Sequence, residues 1–337
     1  MARIVTAMAT THGPQLHTDV EKWHLRVIAD KGRRHPFRGG DYSFDELVEL
    51  RCKKEGLETR ASFEAQKGYH ARCHAAMDKL ADKWDELKPD IAVILGNDQN
   101  EIYETDTLNP AFMVFYGNKI PHHPQDKADI AKMPPGVAEA EMGHAVPIYT
   151  EYDGVPELGL HIIKTMMEHE FDVTACKEWP KKTRNGASHA FGHIYRQVMR
   201  DKVVPNVPLY QNTFYPPNQP SARRAYRFGE IVRKAIESWP SDKRVAVFAS
   251  GGMSHFVIDE DFDRKFVAAL KQKDKEYLTS IPLAALQSGT SELKSWISLA
   301  GLLEPYSTEM HELDYVPCYR SMAGTGTANG FYWWDMK

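Results

Sequence analysis

The stretch IAVILGNDQNE, residues 91–101, joins an uninterrupted apolar run to a cluster of polar side chains. The apolar half shows no alternation with polar residues, which is typical of a strand covered on both faces in a parallel sheet. Directly after Gly96 come Asp98, Gln99 and Glu101. Ligands of open α/β sheets bind beyond the carboxyl ends of the strands. The stretch therefore predicts an α/β fold with a polar site at the end of this strand.

Strands and helices alternate along most of the remaining chain. Short apolar segments at 3–9, 111–117 and 244–249 are predicted strands, bounded by Gly, Pro or polar turns. Residues 156–171 and 221–239 have the three- and four-residue apolar spacing of amphipathic helices. This alternation predicts a central sheet, mixed but mostly parallel, with helices on its faces.

Residues 17–88 interrupt the alternation, because their pattern is helical throughout. Ser43, followed by acids, is a typical helix N-cap, and Gly56 is a typical helix end. The chain contains no internal repeat, low-complexity linker or break in composition. We therefore predict one domain over residues 1–337, with residues 17–88 as a helical insertion after the first strand.

Composition excludes several classes of protein. The formal net charge is −4, whereas a nucleic-acid binder needs a surplus of Lys and Arg on one face. No apolar run approaches the length of a membrane span, and the first residues lack the apolar core of a signal peptide. The four cysteines are scattered, without a CxxC pair. These features predict a cytoplasmic protein with reduced thiols and no nucleic-acid or membrane partner.

Polar residues with related chemistry follow several predicted strand and helix ends. His12, Gln99 and His255 come directly after predicted strands, where a parallel sheet opens onto its ligand. His189 lies in a Gly-rich segment, residues 185–193, that we predict to be a loop, and Glu292 falls in the first turn of a predicted helix. Together these residues predict a metal held by one or two histidines and a carboxylate, with a free histidine beside it.

Each residue also has a simpler explanation when taken alone. Glu292 can be a first-turn acid favoured by the helix dipole. His189 can be a turn histidine, and Asp98 and Glu101 can be solvated loop acids. Seven further histidines are expected at the surface without a role in the site: His17, His24, His35, His122, His123, His169 and His311.

Several motifs resemble the class III extradiol ring-cleavage dioxygenases, the family of the protocatechuate 4,5-dioxygenase catalytic subunit. They are, in chain order, TAMATTHGP, a strand ending in Asn-Asp-X, SHAFGHIYR, TFYPPNQPSARRAYRFG, ASGGMSHF and SGTSELKSWI. Gly-Gly-Met-Ser-His after a buried strand is the most specific of them. The resemblance extends over nearly the whole chain apart from residues 17–88.

The resemblance implies a non-haem Fe(II) bound by two histidines and a glutamate, with O2 and a small aromatic molecule as substrates. His12 matches the first ligand and Glu292 the glutamate. His255 matches the acid–base histidine, and His189 matches a further pocket histidine near the substrate. The resemblance also implies a homo-oligomer, most simply a homodimer.

The departure from the family pattern lies in the opening stretch, because the second ligand histidine is replaced by Gln99. An amide oxygen is neutral like imidazole, but it is a harder donor that suits Fe(II) less well. Three alternatives stay open: Gln99 binds the metal, Asp98 or Glu101 replaces it, or the metal is bound weakly or not at all. An acid two residues after an Asp-Gln pair also resembles a branch of 3-O-methylgallate dioxygenases.

The leading hypothesis is therefore Fe(II)-dependent extradiol cleavage of a catecholic or gallate-type aromatic, including 3-O-methylgallate, with O2. Arg320 is a candidate for binding a substrate carboxylate. One alternative keeps the fold but uses the altered metal site for zinc-dependent hydrolase or lyase chemistry. The other alternative is a non-enzymatic binding protein. By its placement, the insertion at 17–88 resembles a cover over the pocket.

Overall fold

The computed structural model describes residues 1–103, 107–180 and 186–336. Its strands, numbered in chain order, are β1 Arg3–Thr10, β2 His35–Phe37, β3 Gly40–Tyr42, β4 Ile91–Gly96, β5 Phe112–Phe115, β6 Lys119–His122, β7 Thr150–Asp153, β8 Thr174–Cys176, β9 Asn206–Gln211, β10 Arg244–Ser250, β11 His255–Val257, β12 Thr308–Tyr319 and β13 Thr325–Met336. Its α-helices are α1 Trp23–Lys31, α2 Phe44–Glu55, α3 Leu57–Arg60, α4 Phe63–Leu87, α5 Lys127–Ile130, α6 Pro156–Glu168, α7 His189–His193, α8 Ala222–Ser238, α9 Glu260–Gln272, α10 Lys275–Ser280 and α11 Leu293–Leu303. The 3₁₀ turns are Pro14–His17, Val20–Lys22, Ala138–Gly143, Leu283–Ala285 and Ser288–Glu292, and a π turn, Ile194–Val198, follows α7.

One large mixed sheet organises the molecule. Strands β1, β10, β4 and β9 are parallel neighbours, and β5 pairs antiparallel with β9 and parallel with β8. At the other end, β13 runs antiparallel to β1, β11 and β12. The predicted fold class, a mostly parallel mixed sheet flanked by helices, is confirmed.

Both faces of the sheet are covered, as the apolar run at 91–95 predicts. Every residue of β4 is buried. Val93 and Leu95 belong to the core that includes α6, α8 and α11. Ile94 belongs to the core on the opposite face, where Trp84 of α4 packs against Phe248 with ring centroids 5.2 Å apart. The strand is therefore buried on both sides for the reason inferred from its sequence.

The segment 17–88 is less uniformly helical than its pattern predicts. It contains α1 to α4, and Ser43 caps α2 while Gly56 ends it with φ +64°, both as predicted. It also contains a short hairpin, β2–β3, whose two turn residues are Arg38 at φ +47° and Gly39 at φ +81°. Positive φ at both central residues is the geometry of tight hairpin turns, and an arginine there gives little sequence signal.

The parallel strands bring three polar segments to one edge of the sheet. Thr10 of β1 is in register with Ser250 of β10, and Ala249 with Leu95 of β4. The residues that follow each strand therefore meet beyond the same carboxyl edge. The turn ending at Glu292 reaches this edge, where the Trp296 indole donates a hydrogen bond to the carbonyl oxygen of Gly251 at 2.9 Å. None of the helices in the three described ranges combines the length and apolarity that a membrane span requires.

Candidate active site

Three side chains from distant parts of the chain converge at this edge: His12, His189 and Glu292. Nε2 of His12 lies 3.1 Å from Nε2 of His189 and 3.1 Å from Oε2 of Glu292. Their potential ligand atoms all lie within 4.8 Å of one another. No other group of three histidine, cysteine or acidic side chains in the described ranges is arranged this way.

His12 is oriented by the strand beside it. Its Nδ1 lies 2.9 Å from Oγ of Ser250, the last residue of β10, and this hydroxyl donates to the carbonyl oxygen of Ala190 at 2.7 Å. Because the hydroxyl has one hydrogen, its oxygen accepts from Nδ1–H of His12. Burial lowers the pKa of His12 despite the neighbouring Glu292. The neutral ring therefore presents the lone pair of Nε2 to the cluster.

His189 is held by a carboxylate from the opening stretch. The Glu101 carboxylate accepts from the backbone N–H of His189 at 2.9 Å and lies 2.5 Å from its Nδ1. Burial alone would lower the pKa of His189, but Glu101 raises it to about 9. Both carboxylate oxygens thus fix the first residue of α7 and turn its Nε2 toward His12. The predicted loop at 185–193 is partly wrong, because its last five residues form α7, while residue 185 lies outside the described ranges.

Glu292 is the last residue of the turn that leads into α11. Its Oε2 accepts from the backbone N–H of Gly252 at 2.6 Å, and its Oε1 accepts from the amides of Asn97 and Gln99 at 3.2 and 3.3 Å. Burial would raise the pKa of Glu292, but His12 and His255 hold it well below its usual value. The carboxylate is therefore ionised and held on both oxygens.

His255 stands beside the cluster with a fixed tautomer. Its Nδ1 donates to the carbonyl oxygen of Met253 at 2.7 Å, and its Nε2 lies 3.6 Å from Oε2 of Glu292. Asp263 anchors the preceding residue by accepting from the backbone N–H and the hydroxyl of Ser254, at 2.9 and 2.6 Å. The His255 lone pair at Nε2 therefore faces the cluster.

Two glycines enclose the His255 ring. A Cβ at Gly252 would lie 2.2 Å from Cε1 of the ring, and one at Gly289 would lie 2.0 Å from Cδ2. Real Cβ atoms do not approach other atoms so closely, so both positions require glycine for this ring placement. The second glycine of the Gly-Gly-Met-Ser-His motif thus has a direct packing reason.

The polar residues of the opening stretch contact other groups than the sequence suggested. The buried Asp98 carboxylate accepts the backbone N–H groups of Glu101, Ile102 and Tyr103, and burial raises its pKa to about 7. Gln99 contacts Glu292, as described. Asp98 thus shapes the loop, Glu101 orients His189 and Gln99 orients Glu292. The histidine that lies beside His12 is His189.

Arg320 is buried away from this cluster. Its guanidinium forms two hydrogen bonds with the Asp30 carboxylate, at 2.7 and 2.8 Å, and a third with Gln15 at 2.8 Å. It does not line the cavity described next. These contacts leave little donor capacity for a substrate, so the candidate carboxylate-binding role of Arg320 gains no support.

A cavity of about 310 Å³ opens onto the cluster. This volume is at the lower end of the roughly 300–1,000 Å³ of small-molecule sites, which suits a single aromatic ring. Besides the cluster and His255, its lining includes residues that the sequence analysis did not assign to the site: His17, Arg26, Arg33, Glu141, His144 and Phe256. A larger groove of about 570 Å³, beside β6 and α6, contains none of the cluster residues.

Three of the seven histidines that we expected at the surface lie instead in the cavity lining or in the interior. His17 lines the cavity, with Nε2 3.0 Å from Nδ1 of His193, and burial lowers its pKa to about 3. His35 is buried, with Nε2 2.8 Å from the Asp30 carbonyl oxygen, and His122 is fully buried. The position of His17, five residues after His12 across a Pro-containing turn, was the available signal for its place in the site.

Comparisons with known proteins show the family to which the chain belongs. The family model described as the catalytic LigB subunit of aromatic ring-opening dioxygenase matches residues 64–326, a range that includes Gln99, His189, His255 and Glu292 but not His12. A gallate dioxygenase of Pseudomonas putida is 31% identical over 188 residues, which are 52% of this chain and 52% of that protein. The match thus spans about half the length of that relative. The resemblance inferred from the motifs is confirmed: the chain belongs to the family of catalytic LigB subunits of aromatic ring-opening dioxygenases, the class III extradiol type.

Proposed function

We propose that this protein is an Fe(II)-dependent extradiol dioxygenase that opens a catecholic or gallate-type ring with O2. The observation that carries the proposal is the convergence of His12, His189 and Glu292 beside His255. Family membership supports ring-opening chemistry, and the gallate dioxygenase relative supports a trihydroxybenzoate-like substrate. The short match to that relative leaves the exact substrate, 3-O-methylgallate included, to experiment.

The donor set fits a divalent metal. With both Nδ1–H groups engaged, Nε2 of His12 lies 3.1 Å from Nε2 of His189 and 3.1 Å from Oε2 of Glu292. Because the pKa of His189 is raised to about 9, its Nε2–H donates to Nε2 of His12 at neutral pH, and a divalent cation would take the place of this proton. Two histidines and a carboxylate are the ligand set of non-haem Fe(II) oxygenases, which leaves further positions open for substrate and O2.

The residues behind these ligands fit the same role. Metal-binding histidines usually donate their second ring N–H to a carboxylate, carbonyl or water, which fixes the ring and the tautomer. Glu101 holds His189 in this way, and the Ser250 hydroxyl holds His12. We therefore propose His189 as the second histidine ligand, in place of the pocket role implied by the resemblance, and Gln99 as a residue that orients Glu292.

His255 has the geometry of an acid–base catalyst. Fe(II) would supply a centre that binds two adjacent ring oxygens together with O2. The Nδ1–H of His255 is committed to a backbone carbonyl, so its Nε2 is free to take a proton from a phenolic hydroxyl and return it during ring opening. The Phe256 ring, which lines the same cavity, supplies apolar surface for the aromatic substrate.

Anaerobic Fe(II) titration and O2 uptake on one set of variants test the proposal. The variants are His189→Ala, Gln99→Ala and Gln99→His, assayed with gallate, 3-O-methylgallate and protocatechuate. We expect His189→Ala to lose iron and O2 uptake, and Gln99→Ala to retain iron. Iron loss in Gln99→Ala with retention in His189→Ala would make Gln99 the ligand. Absence of O2 uptake by the iron-loaded wild type with all three compounds would refute the oxygenase function.

Zinc chemistry is a second candidate, because a site of two histidines and one carboxylate also serves zinc hydrolases. Elemental analysis of protein purified without added metal separates the two. Stoichiometric zinc and no O2 uptake after iron loading would favour the hydrolase or lyase function. A protein that binds neither metal would favour the non-enzymatic binding role.

We also propose a cytoplasmic homodimer. The four cysteines are free thiols in the structure, which fits a reducing compartment. The dimer rests on the family resemblance alone. Sedimentation or light scattering on the purified full chain tests it, and a monomer at micromolar concentration would contradict it.

A further inference from the structure

Arg26 is a buried cation without an anionic partner among the described residues. The residue lies in α1 and is only 8% exposed. The structure gives its side chain no hydrogen bond and no ion pair with any residue of the described ranges. Its guanidinium nitrogens are not completely enclosed by protein, so they retain some accessible surface. Arg26 lines the cavity together with His12, His255 and Glu292.

The nearest acid does not neutralise Arg26. Asp30 lies one turn further along α1, but its carboxylate accepts two hydrogen bonds from Arg320 and one from the Thr325 hydroxyl, all at 2.6–2.8 Å. Burial and the charge of Arg320 lower the pKa of Arg26 to about 9, although Asp30 opposes this shift. An isolated buried charge is costly, and an anion that enters the cavity would remove this cost.

The other acids at the cavity are also engaged. Glu101 holds His189, and Glu292 accepts from two side-chain amides and a backbone N–H. Glu141 accepts from Gln125 and lies 3.3 Å from Nε2 of His144. The cavity thus combines carboxylates that already have protein partners with a guanidinium that has none in the part of the chain that the structure describes.

The aliphatic part of Arg26 is fixed in place. A Cβ at Gly136, which has φ +78°, would lie 2.8 Å from both Cγ and Cδ of Arg26, so this glycine allows the backbone to cover the arginine side chain. Arg33, just beyond α1, also lines the cavity and stands over the Phe256 ring at 5.2 Å. Arg26 of α1 and Arg33 just beyond it therefore bring two guanidinium groups to the lining of the cavity, together with an aromatic ring.

We propose that Arg26 binds the carboxylate of a hydroxylated benzoate and selects such acids over neutral catechols. A planar guanidinium can bind a carboxylate through two parallel hydrogen bonds. The proposal rests on the proposed function, because it assumes that the substrate ring lies in this cavity. It assigns specificity to a residue of the 17–88 insertion, which precedes the range matched by the family model.

Equilibrium binding under anaerobic conditions tests the proposal with matched probes. Gallate and its neutral carboxamide have nearly the same shape, so their affinity ratio for the wild-type full chain reports recognition of the negative charge. We expect the wild type to prefer gallate. Arg26→Met should weaken gallate binding by roughly 10- to 100-fold and leave carboxamide binding within about threefold, as for loss of a hydrogen bond to a charged group. Arg26→Lys should recover part of the loss.

The matched control is Arg34→Met, because Arg34 is exposed and pairs with Asp41 and Glu46 outside the cavity. Equal losses for gallate and carboxamide in Arg26→Met would overturn the proposal, and so would a wild type that does not distinguish them. The wild-type comparison applies even if Arg26→Met fails to fold. Charge-selective binding without O2 uptake would refute the dioxygenase function alone, and O2 uptake without charge selectivity would refute the role of Arg26 alone.

Discussion

Glu101 Oε2 lies 2.5 Å from Nδ1 of His189, and Glu101 follows Gln99 by two residues. The loop that carries glutamine where the resemblance expects a ligand histidine therefore also carries the acid that orients a different histidine. The departure at position 99 and the acid at position 101 belong to one arrangement, because Glu101 turns His189 toward His12 and Glu292. The loop thus supports the proposed metal site by holding His189 in place.

Replacing Glu101 by Gln should weaken Fe(II) binding by roughly 10- to 100-fold, the usual effect of losing a partner of a ligand histidine. A glutamine retains one acceptor oxygen, but its amide nitrogen would face either the backbone N–H or the Nδ1–H of His189. Anaerobic Fe(II) titration measures the effect.

Glu141→Gln is the matched control for this variant, because Glu141 lines the same cavity but contacts Gln125 and His144. Its iron affinity should stay close to that of the wild type. An unchanged affinity in Glu101→Gln, with a folded protein by circular dichroism, would show that His189 does not depend on Glu101 for metal binding.

Alanine at Gly289 should displace the His255 ring, because the new Cβ would lie 2.0 Å from ring atom Cδ2. If His255 is the acid–base catalyst, kcat should fall by roughly 10²–10⁴-fold, the range for loss of general acid–base catalysis. Fe(II) affinity should change less than kcat, because the atoms that the new Cβ meets belong to His255, whereas the proposed ligand Glu292 lies three residues further along the same turn.

Gly68→Ala provides the control, since a Cβ at Gly68 in α4 meets no atom within 4 Å. This variant should keep full activity and gain up to about 1 kcal/mol of stability from the better helix former. Full activity of Gly289→Ala would mean either that the ring moves without consequence or that His255 does not act on the substrate.

Patterns within single segments predicted the elements well. The apolar run of β4, the cap at Ser43 and the end at Gly56 depend on neighbours in the sequence, and all three are observed. The meeting of β1, β4 and β10 at one edge followed from their parallel order, which alternation of strands and helices implies. These features need no knowledge of contacts between distant segments.

The proposed ligand role of His189, which was expected only as a pocket histidine, and the place of Arg26 in the cavity depend on such contacts. His189 differs from a turn histidine only through Glu101, which lies 88 residues earlier in the chain. Arg26 becomes distinctive only because Arg320 occupies Asp30, a contact across 290 residues. Neither relation leaves a local pattern, so spacing and composition could not identify them.

Asp263 should make the protein less stable as the pH rises from about 4 to about 7. Burial raises the pKa of this carboxyl to about 7, from an ordinary value of 3.8, even though it accepts three hydrogen bonds. The folded state then binds more protons than the unfolded state in this interval, so the free energy of unfolding falls with rising pH. The full effect is on the order of 4 kcal/mol, at 1.36 kcal/mol per pH unit.

Denaturant unfolding of wild type and Asp263→Asn between pH 4.5 and 7.5 measures this contribution. Asparagine does not titrate, so the variant should show a flatter pH dependence across the interval. Asp314→Asn, which removes a partly buried acid paired with Arg72, should keep the wild-type slope. Parallel curves for wild type and Asp263→Asn would show that the Asp263 carboxyl is ionised throughout this range.

Ferrous iron should raise the thermal unfolding temperature of the wild type, because its proposed ligands connect separate elements: His12 follows β1, His189 begins α7 and Glu292 precedes α11. A ligand that binds only the folded state stabilises it by about 2.7 kcal/mol at a hundredfold excess over Kd, which corresponds to roughly 4 °C for a chain of this size. Anaerobic scans with and without a chelator measure the shift. Calcium is the control cation, since it prefers oxygen ligands and should leave the temperature unchanged. His189→Ala should abolish the iron effect and Gln99→Ala should retain it. The reverse pattern would assign the ligand to Gln99, because removal of a direct ligand abolishes binding, whereas removal of a residue that only orients a ligand weakens it.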